Sequence, residues 1–252
     1  MAMIATVFRF GVLLAAPLLS ACGAPAVTNA AHDAPKPEKT AAADGVRTLP
    51  AAEQQALAFK TVFGKPEPVE EARDGGFETK AGKLIWQGDR AVLITVTASE
   101  GACHACAGSL GIYYLEPQGD GFRVTGKFPE AVLGDGYGEA PTTWSVSDKF
   151  GPVPVIYSEF SWQGQGYTCL QFDLTELRPD KPVRIARVPN FYDDSDTGSE
   201  DAKGKIEGKF KTIVPGKSFT LHYAGAATFD ETWTLGADGQ YKLAGKTRML
   251  TC

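Results

Sequence analysis

The chain has 252 residues, with 25 Lys and Arg against 30 Asp and Glu, and so a formal net charge of −5. Hydrophobic residues make up 43% and charged residues 22%, which is the composition of a folded globular protein rather than a disordered chain. The acidic balance excludes a typical nucleic-acid-binding protein, which needs a basic surface to neutralise phosphates. The 28 glycines and 16 prolines predict many turns.

The N-terminal residues 1–21 have the pattern of a signal peptide. One basic residue, Arg9, precedes the apolar run 10–19, which is too short to span a bilayer. The run ends at Leu19-Ser20-Ala21-Cys22, which resembles the lipobox of bacterial lipoproteins. A plain secretory signal with a chance cysteine is the alternative.

The resemblance to bacterial lipoproteins implies a lipid anchor at Cys22. In that family the chain is cleaved before the cysteine, its thiol carries diacylglycerol and its new amino terminus is acylated. Several acyl chains anchor a protein stably where one chain would not. Gly23, rather than Asp, follows the cysteine. The resemblance therefore implies localisation at the outer membrane, with the membrane as a partner.

The residues after Cys22 differ in composition from the rest of the chain. Residues 23–46 are rich in Ala and Pro and contain no aromatic residue. Such a segment buries too little apolar surface to offset the entropy of ordering, so residues 22–47 are predicted to be a lipidated cysteine and a flexible tether. Residues 48–252 are predicted to form a single β-rich domain.

One short helix is predicted at the start of this domain. Pro50 suits the first turn of a helix, and an apolar stripe runs to Phe63 before Gly64 ends it. From Phe77 onward the hydrophobic period changes to two, as in strands. Residues 91–97 are apolar on both faces, as in a central strand.

Hairpin signals recur from Phe77 onward. Glycine-containing turns at residues 118–121, 163–166 and 236–240 each separate two strand-like segments. Turns about every ten residues with little helix predict an all-β fold. We expect an antiparallel meander that closes as a sandwich, a roll or a propeller-like array.

Four cysteines remain besides Cys22, and an even number in an oxidising envelope compartment predicts two disulfides with three possible connectivities. Chain entropy alone does not select a bridge across residues 103–106, because it would close only a short loop. Geometry allows it in a β-turn, where residues i and i+3 lie within about 7 Å. The glycines around this segment favour such a turn. We therefore predict the pairs Cys103–Cys106 and Cys169–Cys252.

The motif Cys103-His104-Ala105-Cys106 admits two chemical interpretations besides a structural disulfide. The first is thiol–disulfide exchange, because an internal His lowers the pKa of a thiol. However, thioredoxin-like enzymes place this motif at the start of a helix, whereas a strand follows it here. The second is a metal site that uses Cys103, His104 and Cys106 as soft ligands. Covalent haem attachment is excluded, because Ala107 stands where that motif needs His.

Two further features bear on a binding site. The Gly-rich segment 134–139, with Tyr137, Trp144 and Trp162, is a candidate ligand-binding surface, although aromatic residues at strand positions usually belong to a core. His222, on the polar face of a predicted strand, is expected at the surface. No Ser-His-Asp order, P-loop or paired-carboxylate motif stands out, and no cofactor is predicted.

The Cys-His-x-Cys motif followed by the aromatic strand 111–116 resembles uncharacterised bacterial envelope proteins, and this resemblance implies no activity. Together these patterns predict an outer-membrane lipoprotein with a periplasmic, disulfide-stabilised and non-catalytic β domain. Its expected role is binding a periplasmic protein or ligand, or maintaining the envelope. The alternative is a redox or metal-binding protein that acts through residues 103–106.

Overall fold

A computed structural model describes residues 45–72 and 74–252. These residues belong to one compact unit that covers residues 40–252. The predicted signal peptide, Cys22 and nearly all of the predicted tether lie outside the described residues. Within the described part of the chain, no helix is long and apolar enough to cross a membrane.

The predicted helix is present as α1 (Ala51–Phe63). It begins directly after Pro50 and ends at Gly64, which takes the left-handed conformation and donates its N–H to the carbonyl of Lys60 at 2.8 Å. A 3-10 turn, Gly45–Thr48, precedes the helix and buries Val46 completely. Packing therefore begins before residue 48, the predicted start of the domain, because Val46 fits between the helix and the first sheet.

The described residues form thirteen strands in two antiparallel sheets, which confirms the predicted all-β fold. In both sheets each strand pairs with its neighbours in the chain, so both are meanders. The first sheet contains β1 (Val69–Glu70), β2 (Glu78–Gln87), β3 (Arg90–Ala98), β4 (Ser109–Gln118) and β5 (Gly121–Leu133). The second contains β6 (Trp144–Ser147), β7 (Val155–Gly164), β8 (Tyr167–Leu177), β9 (Pro182–Asp193), β10 (Ile206–Val214), β11 (Ser218–Gly225), β12 (Phe229–Leu235) and β13 (Tyr241–Leu243).

The first sheet is covered on both faces, which explains why β3 is apolar on both. Leu93 on one face packs in the same cluster as Phe59 of α1. Ile94 on the other face shares a cluster with Ile156 and Phe160 of β7, so the second sheet packs there. The prediction of a central strand at residues 91–97 is confirmed.

The second sheet rolls around an aromatic core. Phe172 on β8 and Phe219 on β11 are three strands apart, which is about 14 Å in a flat sheet. Their ring centroids lie only 6.2 Å apart, and Cα atoms of β13 come within 8 Å of those of β9. Of the predicted modes of closure, this sheet matches the roll.

Candidate functional site

The motif at residues 103–106 forms a disulfide-bonded turn between β3 and β4. Cys103 and Cys106 are joined, with Cα atoms 5.0 Å apart, and the N–H of Cys106 donates to the carbonyl of Cys103 at 2.9 Å. Cys103, His104 and Ala105 are exposed, and Cys106 is partly buried. The predicted turn and this pairing are present. In this state both thiols are consumed by the disulfide.

The Gly-rich loop 134–139 is bonded to this turn along its backbone. Tyr137 donates its N–H to the carbonyl of His104 at 3.3 Å, and Gly138 donates to the carbonyl of Cys106 at 2.6 Å. Gly138 has a φ of 84°, and a Cβ there would collide with the carbonyl oxygen of Ser99. Only glycine fits at this position, and the two backbone hydrogen bonds join the loop and the disulfide turn into one ridge.

Tyr137 displays its ring at the top of this ridge. Its φ is 59°, in the left-handed region that side chains other than glycine seldom adopt. The residue is 60% exposed, and its ring meets that of His104 edge to face, with the centroids 4.5 Å apart. A strained backbone that presents an exposed aromatic ring is a feature that clusters at functional sites.

A groove of about 670 Å³ opens beside this loop. One wall is the end of β5 with residues 134–135, and the opposite wall is formed by β9 and the C-terminal segment. The groove has the size of a small-molecule binding site. Its apolar lining consists of Leu133, Phe160, Trp162, Leu170, Phe191 and Leu250. Its polar lining consists of Asp135, Ser161, Gln171, Arg187 and Thr251.

Two large apolar side chains of the groove are open to solvent. Leu133 is 52% exposed and Trp162 is 50% exposed. The six-membered ring of Trp162 lies over Gly164, where an added Cβ would come within 3.0 Å of it. The indole therefore lies close against the β7–β8 hairpin, because residue 164 has no side chain.

Arg187, the basic side chain in the lining of the groove, belongs to an ion pair. Asp173 is 3% exposed and accepts two hydrogen bonds of 2.7 Å from Arg187, through Nε and Nη2. The Asp173 carboxylate raises the pKa of Arg187 above its ordinary value. The guanidinium also lies over the ring of Phe160, 5.3 Å from its centroid. The cation is thus held in one place.

A second polar contact joins the loop to the rolled sheet. Oδ2 of Asp135 accepts hydrogen bonds from the backbone N–H of Ser161, at 2.9 Å, and from its hydroxyl, at 3.1 Å. β6 covers the edge of β7 only as far as Glu159, whose N–H donates to the carbonyl of Thr143. Asp135 therefore occupies the next hydrogen-bonding position on that edge.

The second disulfide closes one end of the groove. Cys169, which is paired in register with Trp162, is bonded to Cys252, and their Cα atoms lie 6.0 Å apart. The segment before Cys252 is held by Glu231, which is 5% exposed and accepts hydrogen bonds from the hydroxyl of Thr247 and the N–H of Arg248. The predicted pairing of Cys169 with Cys252 is present.

The remaining candidate residues lie away from the groove. His222 is exposed on β11 and its Nδ1 lies 2.6 Å from Oδ1 of Asp230, so it is a surface residue as predicted. Among residues 45–72 and 74–252, no three His, Cys, Asp or Glu side chains are grouped so as to hold a metal ion. Cys22 lies outside the described residues.

The structure separates the three aromatic residues named from the sequence. Trp144 packs partly buried against the core between the sheets, whereas Tyr137 and Trp162 are exposed at the loop and the groove. Sequence reasoning missed Arg187 and Gln171, because nothing in their local pattern distinguishes them from ordinary polar strand residues. For the β8 wall of the groove, the sequence gives one local signal. Cys169 alternates with the apolar Leu170 and Phe172, which places its side chain on the opposite face of the strand.

The chain matches no protein-family model, no curated protein and no solved structure.

Proposed function

We propose that this protein is a bacterial envelope lipoprotein whose β domain is a non-catalytic binding module, and that the groove between β5, the β7–β8 hairpin and β9 is its ligand site. The observation that carries the proposal is the exposure of Leu133 and Trp162 at the walls of a groove of about 670 Å³. Large apolar side chains left open in a concave, rigid site are typical of a surface that a ligand covers.

The fixed geometry of the groove supports a binding role. Asp135 is engaged by Ser161, and Arg187 is held by Asp173, so both charged groups have structural partners. Disulfides tie both the neighbouring ridge and the C-terminal wall. A preformed site loses little conformational entropy when it binds its ligand.

The proposed location follows from the N-terminal sequence. Leu19-Ser20-Ala21-Cys22 supplies the residue for lipid attachment, and Gly23 favours the outer membrane. In the proposed arrangement, the tether carries the β domain into the periplasm, where the two disulfides are stable.

A redox role for Cys103 and Cys106 is the second candidate. It is favoured by the exposure of Cys103 and by the presence of His104 within the same turn. This role requires that the pair cycles between disulfide and dithiol in the cell. A binding module would instead keep the pair oxidised.

Footprinting in the envelope tests the groove. Hydroxyl radicals should oxidise Trp162 readily in the purified full-length protein and more slowly in freshly isolated envelopes, where the ligand is present. Phe210 on β10 is the internal control, because it is 36% exposed and lies outside the groove. Equal oxidation of Trp162 in both samples, with equal oxidation of Phe210, would contradict the proposal.

Thiol trapping separates the two candidates. Cells are quenched in acid and free thiols are alkylated. The mass of the peptide that contains Cys103 and Cys106 is then measured by mass spectrometry. The binding proposal expects no alkylated form, whereas a substantial alkylated fraction would support the redox role.

A further inference from the structure

We infer that the groove takes an uncharged saccharide, with one pyranose ring stacked on the indole of Trp162. This ligand class rests on the proposed binding function and specifies it. Three features of the described residues support this ligand class. They are an exposed aromatic side chain, planar polar groups in the same groove that have no hydrogen-bond partner in the protein, and two lining side chains of opposite charge.

The exposed aromatic side chain is the indole of Trp162. Atoms Cζ2 and Cη2 of its six-membered ring lie against Gly164 of the hairpin, and half of the residue remains exposed. A pyranose has one face of C–H groups, and such a face fits the negatively charged face of an aromatic ring. A side chain placed only to fill a core would be buried, whereas Trp162 is 50% exposed.

Hydrogen-bonding groups without a protein partner lie in the same groove. Among the described residues, the side-chain amide of Gln171, Nη1 of Arg187 and Oδ1 of Asp135 make no hydrogen bond, although each of the three residues lines the groove. Together they provide donors and acceptors on planar groups. Adjacent sugar hydroxyls both donate and accept hydrogen bonds, so they match such a set.

The charges of the groove exclude a strongly charged ligand. Among the side chains that line the groove, Arg187 is the cation, and it is paired with the buried carboxylate of Asp173. Asp135 adds one negative charge at the opposite wall. An anion would meet Asp135 and a cation would meet Arg187, so an uncharged polar ligand is favoured.

Two other ligand classes fit the groove less well. A peptide that adds a strand needs the free edge of β7, but the N–H of Ser161 on this edge is already bonded to Asp135. An acyl chain needs a wholly apolar lining, whereas Gln171, Arg187 and Asp135 would lose water against it without gaining a partner.

Calorimetric titration of the full-length lipidated protein tests the inference. The protein is kept in a zwitterionic detergent, because detergents with sugar headgroups would compete. The probes are two uncharged tetrasaccharides, chitotetraose and maltotetraose. We expect saturable binding of at least one, and about tenfold weaker binding in Trp162→Ala, because aromatic contacts and buried area are both lost.

Two glycine substitutions form a matched pair of controls. Gly164→Ala keeps Trp162 but places a methyl group 3.0 Å from its ring, so the indole must shift by a few tenths of an ångström, and we expect binding about two- to threefold weaker. Gly151→Ala adds the same methyl group in open space and should leave the affinity unchanged. Gln171→Ala should weaken binding about three- to tenfold through the loss of hydrogen bonds. Thermal midpoints of all variants report whether each one folds.

The outcomes separate this ligand class from the binding function itself. No binding of either tetrasaccharide at millimolar concentration, or binding that none of the groove variants affects, overturns the saccharide inference. If an apolar decapeptide or palmitate binds instead and Trp162→Ala weakens that binding, the groove is a binding site and only the saccharide class is wrong. If Trp162 is also equally oxidised in envelopes and in the purified protein, the proposed function itself fails.

Discussion

Asp173 and Arg187 differ in exposure, and their substitutions should therefore differ in cost. Asp173 is almost completely buried, whereas the Arg187 side chain is 44% exposed and can be hydrated when it loses its partner. Removing one member of a buried ion pair costs about 3–5 kcal/mol, mainly because the other charge is left unpaired. The larger loss of stability is expected in the variant that leaves the buried Asp173 carboxylate without its partner.

We expect Arg187→Met to lower the free energy of unfolding by about 2–4 kcal/mol and Asp173→Asn by about 1–2 kcal/mol. Urea midpoints measure both. Arg184→Met is the control, because Arg184 is more exposed and lies 3.6 Å from Asp173, and its loss should cost under about 1 kcal/mol. If Asp173→Asn costs more than Arg187→Met, the unpaired guanidinium of Arg187, and not the unpaired carboxylate of Asp173, determines the loss of stability.

Asp194 is a carboxylate that organises the acidic loop after β9. It is 5% exposed, and its pKa lies below the ordinary Asp value because the backbone N–H of Lys203 donates to it, with further donors at Gly204 and Tyr192. A lowered pKa means that this stabilisation is complete above the ordinary value of about 3.9. It is lost as the pH falls through the lower folded-state value.

Hydrogen exchange of two amides tests this pH dependence. In the wild type, the amides of Lys203 and Gly204 should stay protected at pH 4 and lose protection only in stronger acid. In Asp194→Asn they should be less protected at neutral pH and show no such acid transition. Asp193→Asn is the control, because Asp193 bonds to Ser195 instead. Unchanged protection in Asp194→Asn would contradict this role.

The two disulfides differ in the length of chain that they close, and their contributions to stability should differ accordingly. Cys169 and Cys252 are separated by 83 positions, and Cys103 and Cys106 by 3. In the chain-entropy model, Cys252→Ser should cost about 2–5 kcal/mol, and the double Ser variant of Cys103 and Cys106 about 1–2 kcal/mol. Denaturant midpoints measure the ranking, and equal midpoints would show that loop length does not govern it.

The Cys103–Cys106 disulfide should mainly stabilise the neighbouring loop 134–139 rather than the whole domain. Because Tyr137 and Gly138 donate to the carbonyls of residues 104 and 106, opening the turn should expose their amides to exchange. Amides of the rolled sheet, such as that of Phe219, should be unaffected. Faster exchange throughout the protein would show that the turn is part of the global core.

The elements themselves were predictable from the sequence because their signals are local. The turn at Gln163–Gly166 is specified by glycines between two alternating runs, and the end of α1 by Gly64. The division into two sheets was not predictable, since no local pattern marks where pairing stops between β5 and β6. The groove was hidden for the same reason: Leu133, Trp162, Arg187 and Leu250 come from four distant segments.

At the scale of the whole molecule, the start of the described chain and the groove lie at opposite ends of β5. Gly45 packs against Asp120, immediately before β5 begins at Gly121. The strand ends at Leu133 in the groove wall, and thirteen extended residues span about 40 Å. The groove therefore lies far from residue 45, where the described chain begins.

This separation predicts that the proposed lipid anchor and the β domain can be changed independently. Cys22→Ala removes the thiol that the lipobox resemblance assigns to diacylglycerol, so the variant should leave the membrane fraction and appear in the soluble periplasmic fraction. Its urea midpoint should equal that of the wild type, because the described packing begins at Val46. Ser20→Thr, outside the lipidated position, controls for damage to export. If the Cys22→Ala protein still sediments with outer membranes after a high-salt wash, attachment does not depend on this thiol, and the proposed lipid anchor is wrong.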